Sequence, residues 1–197
     1  MIVTRKTLFN VFSSAGIIIA VVLFVAGGLL VWGHNFIDSQ VHDQLAQQKI
    51  FFPPKGSDAI KGPQFAAMRK YAGQQLLTGD QAATYANDFI LIHLNEAAGG
   101  KTYAQLSTEA MANPNDQKLQ GLVATVFKGT TLRGMLLNAY AFSKMGQVAG
   151  IASYVMFAGG AVVVVLSGMG FLLGQRAKAK VPLAVVAGQE AREAAAV

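Results

Sequence analysis

AGIIIAVVLFVAGGLLVW, residues 15–32, decides the fold. Nothing in it is charged, and its residues are bulky, branched or small. Working outward, the uncharged run extends from Lys6 to His34. As a helix, residues 7–33 would rise about 40 Å, more than a hydrocarbon core of roughly 30 Å. A second run of the same kind lies between Lys144 and Arg176. Each run is long enough to cross a bilayer. The expectation is an all-α membrane protein: two transmembrane helices extended beyond the bilayer, with a small helical domain between them.

Charge placement supplies an orientation. Arg5 and Lys6 precede the first run, and Arg176, Lys178 and Lys180 follow the second. Basic residues close to a span resist translocation. The expected order is therefore a cytoplasmic N-terminus (1–6), a first span (7–33), an extracytoplasmic helical domain (34–148), a second span (149–175) and a cytoplasmic tail (176–197) at the plasma membrane. The first run also has the basic start and apolar centre of a signal peptide. Its length and the lack of an Ala-x-Ala site favour a retained anchor, with Trp32 as an interfacial aromatic.

Hydrophobic residues make up 53% of the chain and charged ones 13%, about half the usual charged share of a soluble domain. The net charge of +6 flanks the spans and forms no basic patch with interleaved aromatics, so no nucleic-acid partner is expected. With no cysteine, thiol chemistry and disulfides are excluded.

Between the spans the pattern is helical. Ile37, Val41 and Leu45 recur every four residues and carry the first helix on to about Ile50, where Pro53 and Pro54 stop it. Pro63 opens a helix with Phe65, Met68, Ala72 and Leu76 on one face, ended by Gly79. Asp80 is expected to cap the next helix, which carries Phe89 to Ile92 and stops at Gly99 and Gly100. A short segment from Thr102 to Met111 breaks at Asn113 and Pro114. Asp116 to about Gln175 reads as one long helix, and the Ala-rich tail from Pro182 as a mobile segment.

Small residues on the second long helix suggest close packing. Gly146 and Gly150 form one GxxxG pair, Gly170 and Gly174 another, and Gly159 with Gly160 adds a notch. In lipid such notches let helix backbones approach. Self-association is the preferred reading, and packing of the two spans of one chain is the alternative. Arg133, within an otherwise apolar helix, is expected to meet a carboxylate from a neighbouring helix or subunit, or else to extend its head to water.

Signs of chemistry are weak. Gly99-Gly100-Lys101-Thr102 resembles the end of a phosphate loop, but Asn95 stands where that pattern needs glycine. His34 and His42 are two helical turns apart, about 12 Å along the axis, too far for one metal. His93 reads as a hydrogen-bonded packing residue. Asp88 and Glu96 are also two turns apart, too distant for shared acid–base work. No catalytic, cofactor or metal site is expected.

Three stretches resemble a group of uncharacterised actinobacterial (mycobacterial-type) two-span membrane proteins: Lys61-Gly62-Pro63; His93 with Ala98 to Ala104; and Thr131 to Tyr140. Members often carry the label "aromatic ring-opening dioxygenase". That label would imply a non-haem iron site in a soluble α/β enzyme, and these residues offer neither the fold pattern nor the ligands. The resemblance implies a plasma-membrane protein with an outward helical domain and no established activity. The expected function is a non-enzymatic homo-oligomeric ring or tube, a scaffold or a pore- or lipid-holding assembly, with membrane lipid and further copies as partners. An accessory subunit among other membrane subunits is the alternative.

Overall fold

The computed structural model describes residues 5–176. The expected tail from Pro182, with Lys178 and Lys180, lies outside them. The protein is all-α, with two long apolar helices packed together and a small helical region between them in sequence. Helix α1 runs Arg5–Gln48 and α6 runs Gln117–Arg176. Four shorter helices lie between: α2 (Ala66–Arg69), α3 (Gly79–Tyr85), α4 (Leu91–Ala98) and α5 (Tyr103–Ala112).

Both long helices are candidate membrane spans, and in the most apolar window of each only 11% of residues are buried within the chain. A core helix of a soluble protein would be mostly covered. Here Ile18, Val22, Leu29, Ile151 and Val165 all lie exposed, as lipid-facing residues do.

The chain divides into two compact units, one holding the segments that end at Trp32 and begin at Ala149, the other Gly33–Val148. Within the first, the helices approach through small residues. Gly16 faces Ser167, Gly170 faces Ser13, and Gly27 lies against the Phe157 ring.

Within the second unit, a core forms from Val41 and Leu45 of α1, Leu136 of α6, and Phe52, Met68 and Leu76 between them. Helix α1 stops where Lys49 turns left-handed at φ 52°. Pro53 and Pro54 bar its continuation. The freed backbone groups find partners in residues 73–76. Phe52 N–H donates to Gln74 O at 2.9 Å, and Leu76 N–H donates to Ile50 O at 2.9 Å. Gly73 N–H donates to Pro53 O at 3.1 Å, and the Gln75 side chain donates to Ala46 O.

This clip corrects the expected helix from Pro63 to Leu76. A 3-10 turn at Pro63–Phe65 leads into α2, which ends at Arg69. Residues 74–76 are extended because the end of α1 needs their hydrogen bonds. The Arg69 guanidinium, bonded at 2.8 Å to both Ile60 O and Gly62 O, holds the turn. The expected stripe is still covered: Phe65, Met68 and Leu76 are buried and Ala72 is partly so.

The next boundary also differs. Gly79 begins α3 instead of ending a helix, and Thr78, not Asp80, is its N-cap. The Thr78 hydroxyl accepts from Gln81 N–H at 3.3 Å, and the Gln81 side chain accepts from Thr78 N–H at 3.1 Å. Two orphan donors are satisfied reciprocally, which Asp80 alone could not do. Glycine is required at 79 by contact, since a side chain there would meet Ser143 of α6. Between α3 and α4 the helix widens into a π turn at Ala86–Ile90. Gly99 and Gly100 then stop α4 at φ 58° and 78°, as expected. Thr102 caps α5 through the same device with Gln105. A second cluster joins Ala98, Leu106 and Val126.

Candidate functional site

A concave feature lies in the Gly33–Val148 unit. It is a groove of about 570 Å³ between residues 36–50 and residues 132–142. Two patterns in α1 build it. Ile37, Val41 and Leu45, four apart, supply the floor, with Val41 and Leu45 buried. Gln40, Gln44 and Gln48, also four apart, form a rail along the same helix. Leu136 and Ala139 of α6 complete the floor, and Met135 and Phe142 stand at its rim, 63% and 56% exposed. No lining residue is charged.

The exposed apolar surface continues beyond the groove. Met145 and Val148 follow Phe142 at helical spacing on α6 and are 60% and 65% exposed. Elsewhere in this unit the Tyr103 and Phe127 rings meet at 5.4 Å between centroids, tilted by 48°, and both lie exposed.

The glycines singled out from the sequence face the first helix of the same chain where their surroundings are resolved. Gly146 packs on Ile37, and a side-chain carbon there would lie 3.0 Å from it. Gly160 lies against the Phe24 ring at 3.2 Å on the same measure. Gly174 meets Phe9 and Asn10, Gly170 meets Ser13, and Gly159 has only Leu23 near, at 3.9 Å. Gly150 is buried, and its carbonyl accepts from the Ser153 hydroxyl at 2.6 Å.

Within this unit Arg133, partly exposed, meets a neutral amide. Its Nη2 donates to Asn87 Oδ1 at 2.8 Å, and its buried Nε has no partner among the described residues. Asn87 reaches α6 because it sits in the π turn, a local event that the residue types do not announce.

The histidines are all engaged separately. His34 Nδ1–H donates to Gly146 O at 2.9 Å, and His93 Nδ1–H donates to Phe89 O at 2.8 Å. His42 pairs with its neighbour Asp43 at 3.2 Å. Among the described residues no group of three metal-binding side chains forms. The phosphate-loop likeness resolves into a helix cap, with Lys101 paired to Glu109 at 2.8 Å.

Two ionisable groups are displaced in this unit. Burial against Phe52 and Phe89 pushes the Tyr85 phenol above its ordinary range. Lys144, bonded to Asp80 at 2.9 Å, is held above the usual lysine range chiefly by that hydrogen bond. The pair is half in solvent and ties α3 to α6 only weakly.

No protein-family model matches this chain, and no curated protein or solved structure matches it either.

Proposed function

We propose that this chain is a non-enzymatic integral membrane protein whose two long helices cross the bilayer and whose copies assemble into a ring or tube around a shared axis. The observation that carries the reading is the apolar stripe Met135, Phe142, Met145 and Val148. It lies on the part of α6 assigned outside the spans and is more than half exposed. Water-facing helices do not keep such a stripe uncovered at small cost, and contiguous apolar patches on a soluble surface mark interaction sites. In a ring or tube the stripe of each copy would rest on a different apolar face of the next, a head-to-tail contact repeated around the shared axis.

Mass measurement of the particle extracted in detergent or nanodiscs tests this. The expected mass is a multiple of 20.8 kDa, shifted toward one copy by Met145→Lys. A clean monomer overturns the reading. Fixed-ratio recovery with other membrane chains would replace it with the accessory-subunit reading.

A further inference from the structure

We infer that copies of this chain meet through α6, laid parallel, with the side that faces away from the rest of its own chain turned toward the shared axis. The inference rests on the reading that the long helices cross the bilayer and that copies surround one axis; it names the surface that joins them. Three observations select a second α6 as the occupant of this face.

The first is spacing. Gly129, Leu136 and Ser143 of α6, seven apart, meet Leu94, the buried core and Gly79 of the same chain. In the other unit Ser153, Gly160, Ser167 and Gly174, again seven apart, are buried, and the last three meet Phe24, Gly16 and Phe9 of α1. A second row is left open. Phe127, Gly134, Ala141 and Val148 recur every seven residues with Thr131, Asn138 and Met145 between them, and all are exposed. Leu136 stands two residues from both Gly134 and Asn138, so each lies about 160° round the helix from it. Counted on along the sequence, the row passes the partly exposed Ala152 and Gly159 and reaches Val162, Leu166, Met169 and Leu173, all exposed. It holds no charged residue from Phe127 to Leu173. A helix of 3.6 residues per turn drifts from a seven-residue row by about 20° per heptad, so a row kept this long fits a helical partner wound along it. The second observation is self-matching. Copies that cross one bilayer in the same sense run parallel, and equal residues of two α6 helices come level. Asn138 then faces Asn138, and an amide both gives and accepts a hydrogen bond. One polar residue in such a row fixes the register between like helices. No like charges are brought together, because the flanking Lys128 and Lys144 come beside Val123 and Ala149 of the next copy. Met135 and Phe142 on one flank come beside Thr130 and Leu137 on the other flank of the next copy, which makes the contact head-to-tail. The third is area. From Phe127 to Leu173 the helix rises about 70 Å. At a helix width of about 10 Å the row offers about 700 Å² on each copy. The contact then covers roughly 1,400 Å², the size of a specific interface.

Cysteine crosslinking decides it, since the chain has no cysteine of its own. Single-cysteine variants of the full chain, in the membranes of an expressing bacterium, are treated with a short bismaleimide and resolved by mass. Gly134→Cys, where a side chain has open space, and Ala141→Cys both lie on the row. They should give about tenfold more dimer of the chain than Gln147→Cys, exposed elsewhere on α6, and Gln44→Cys, exposed on α1. Adding Asn138→Asp to Gly134→Cys sets a carboxylate against its own copy and should cut the dimer about tenfold, with the helical circular dichroism unchanged because residue 138 is exposed. Equal crosslinking at all four positions, a product that contains a foreign chain, or dimer undiminished by Asn138→Asp overturns the inference. No crosslink on the row, in particles whose mass is a multiple of the chain, overturns it and leaves the ring reading standing. Particles with the mass of one copy remove both.

Discussion

Lys49 shows what a residue's type conceals. It takes φ 52° at the end of α1, a conformation glycine adopts freely and other L-residues adopt at a cost of roughly 1–2 kcal/mol. Lys49→Gly should stabilise the protein by about 0.5 kcal/mol after the extra freedom of glycine in the unfolded chain is subtracted. The gain would be read as a small rise in melting temperature in detergent, and a fall would mean that the lysine side chain contributes more than its backbone costs. Tyr85 and Lys144 make a second prediction. Both hold their protons to higher pH when folded, so above their ordinary values, near 10, the unfolded chain releases protons first. Stability should stay level through neutral pH and fall as pH rises beyond about 10, followed by circular dichroism. Residues with one strong conformational habit were legible: Gly99 and Gly100 end α4 as expected. Thr78 was legible in principle, since Thr78-x-x-Gln81 is a capping-box spacing. Asp80, two residues further on, is an equally good cap by residue type and competes with that signal.

At the scale of elements, periodicity marked the long helices to within a few residues. Ile37, Val41 and Leu45 continue the pattern of the first span, and α1 follows them to Gln48. Periodicity failed for residues 70–76, where Phe65, Met68, Ala72 and Leu76 keep helical spacing but the backbone turns. There the unmet hydrogen bonds at Ile50 and Phe52 outweigh local pattern, and a one-dimensional spacing cannot register a need that arises between Phe52 and Gln74 or between Ile50 and Leu76. The glycines belong to this scale as well. Gly160 lies against Phe24, whereas Gly168 has open space around it. Gly160→Leu should therefore destabilise the paired helices by about 1–3 kcal/mol through overpacking, while Gly168→Leu should be nearly neutral. Thermal unfolding in detergent compares the two, and equal losses would mean that the close approach at Gly160 is not needed.

For the whole molecule, the two uncharged runs of the sequence correspond to two long apolar helices, mostly uncovered within the chain, that are candidate membrane spans. The groove was less legible. Its floor residues were visible as a helical stripe, but its opposite wall comes from Leu132 to Phe142, about ninety positions later, and only folding brings them together. The topology proposed from the basic flanks has its own test. Protease added to intact spheroplasts should cut within residues 34–148 and spare both ends, whereas cleavage of the ends with an intact middle would reverse the orientation.

The clip joining Ile50 and Phe52 to residues 74–76 closes the segment from Pro53 to Gly73 at its base. Within that segment Gly56 has open space where a side chain would stand, and Lys55 beside it is exposed. An epitope or a small fluorescent domain spliced between these two residues should leave the long helices undisturbed. That gives a small, featureless particle a fiducial for imaging.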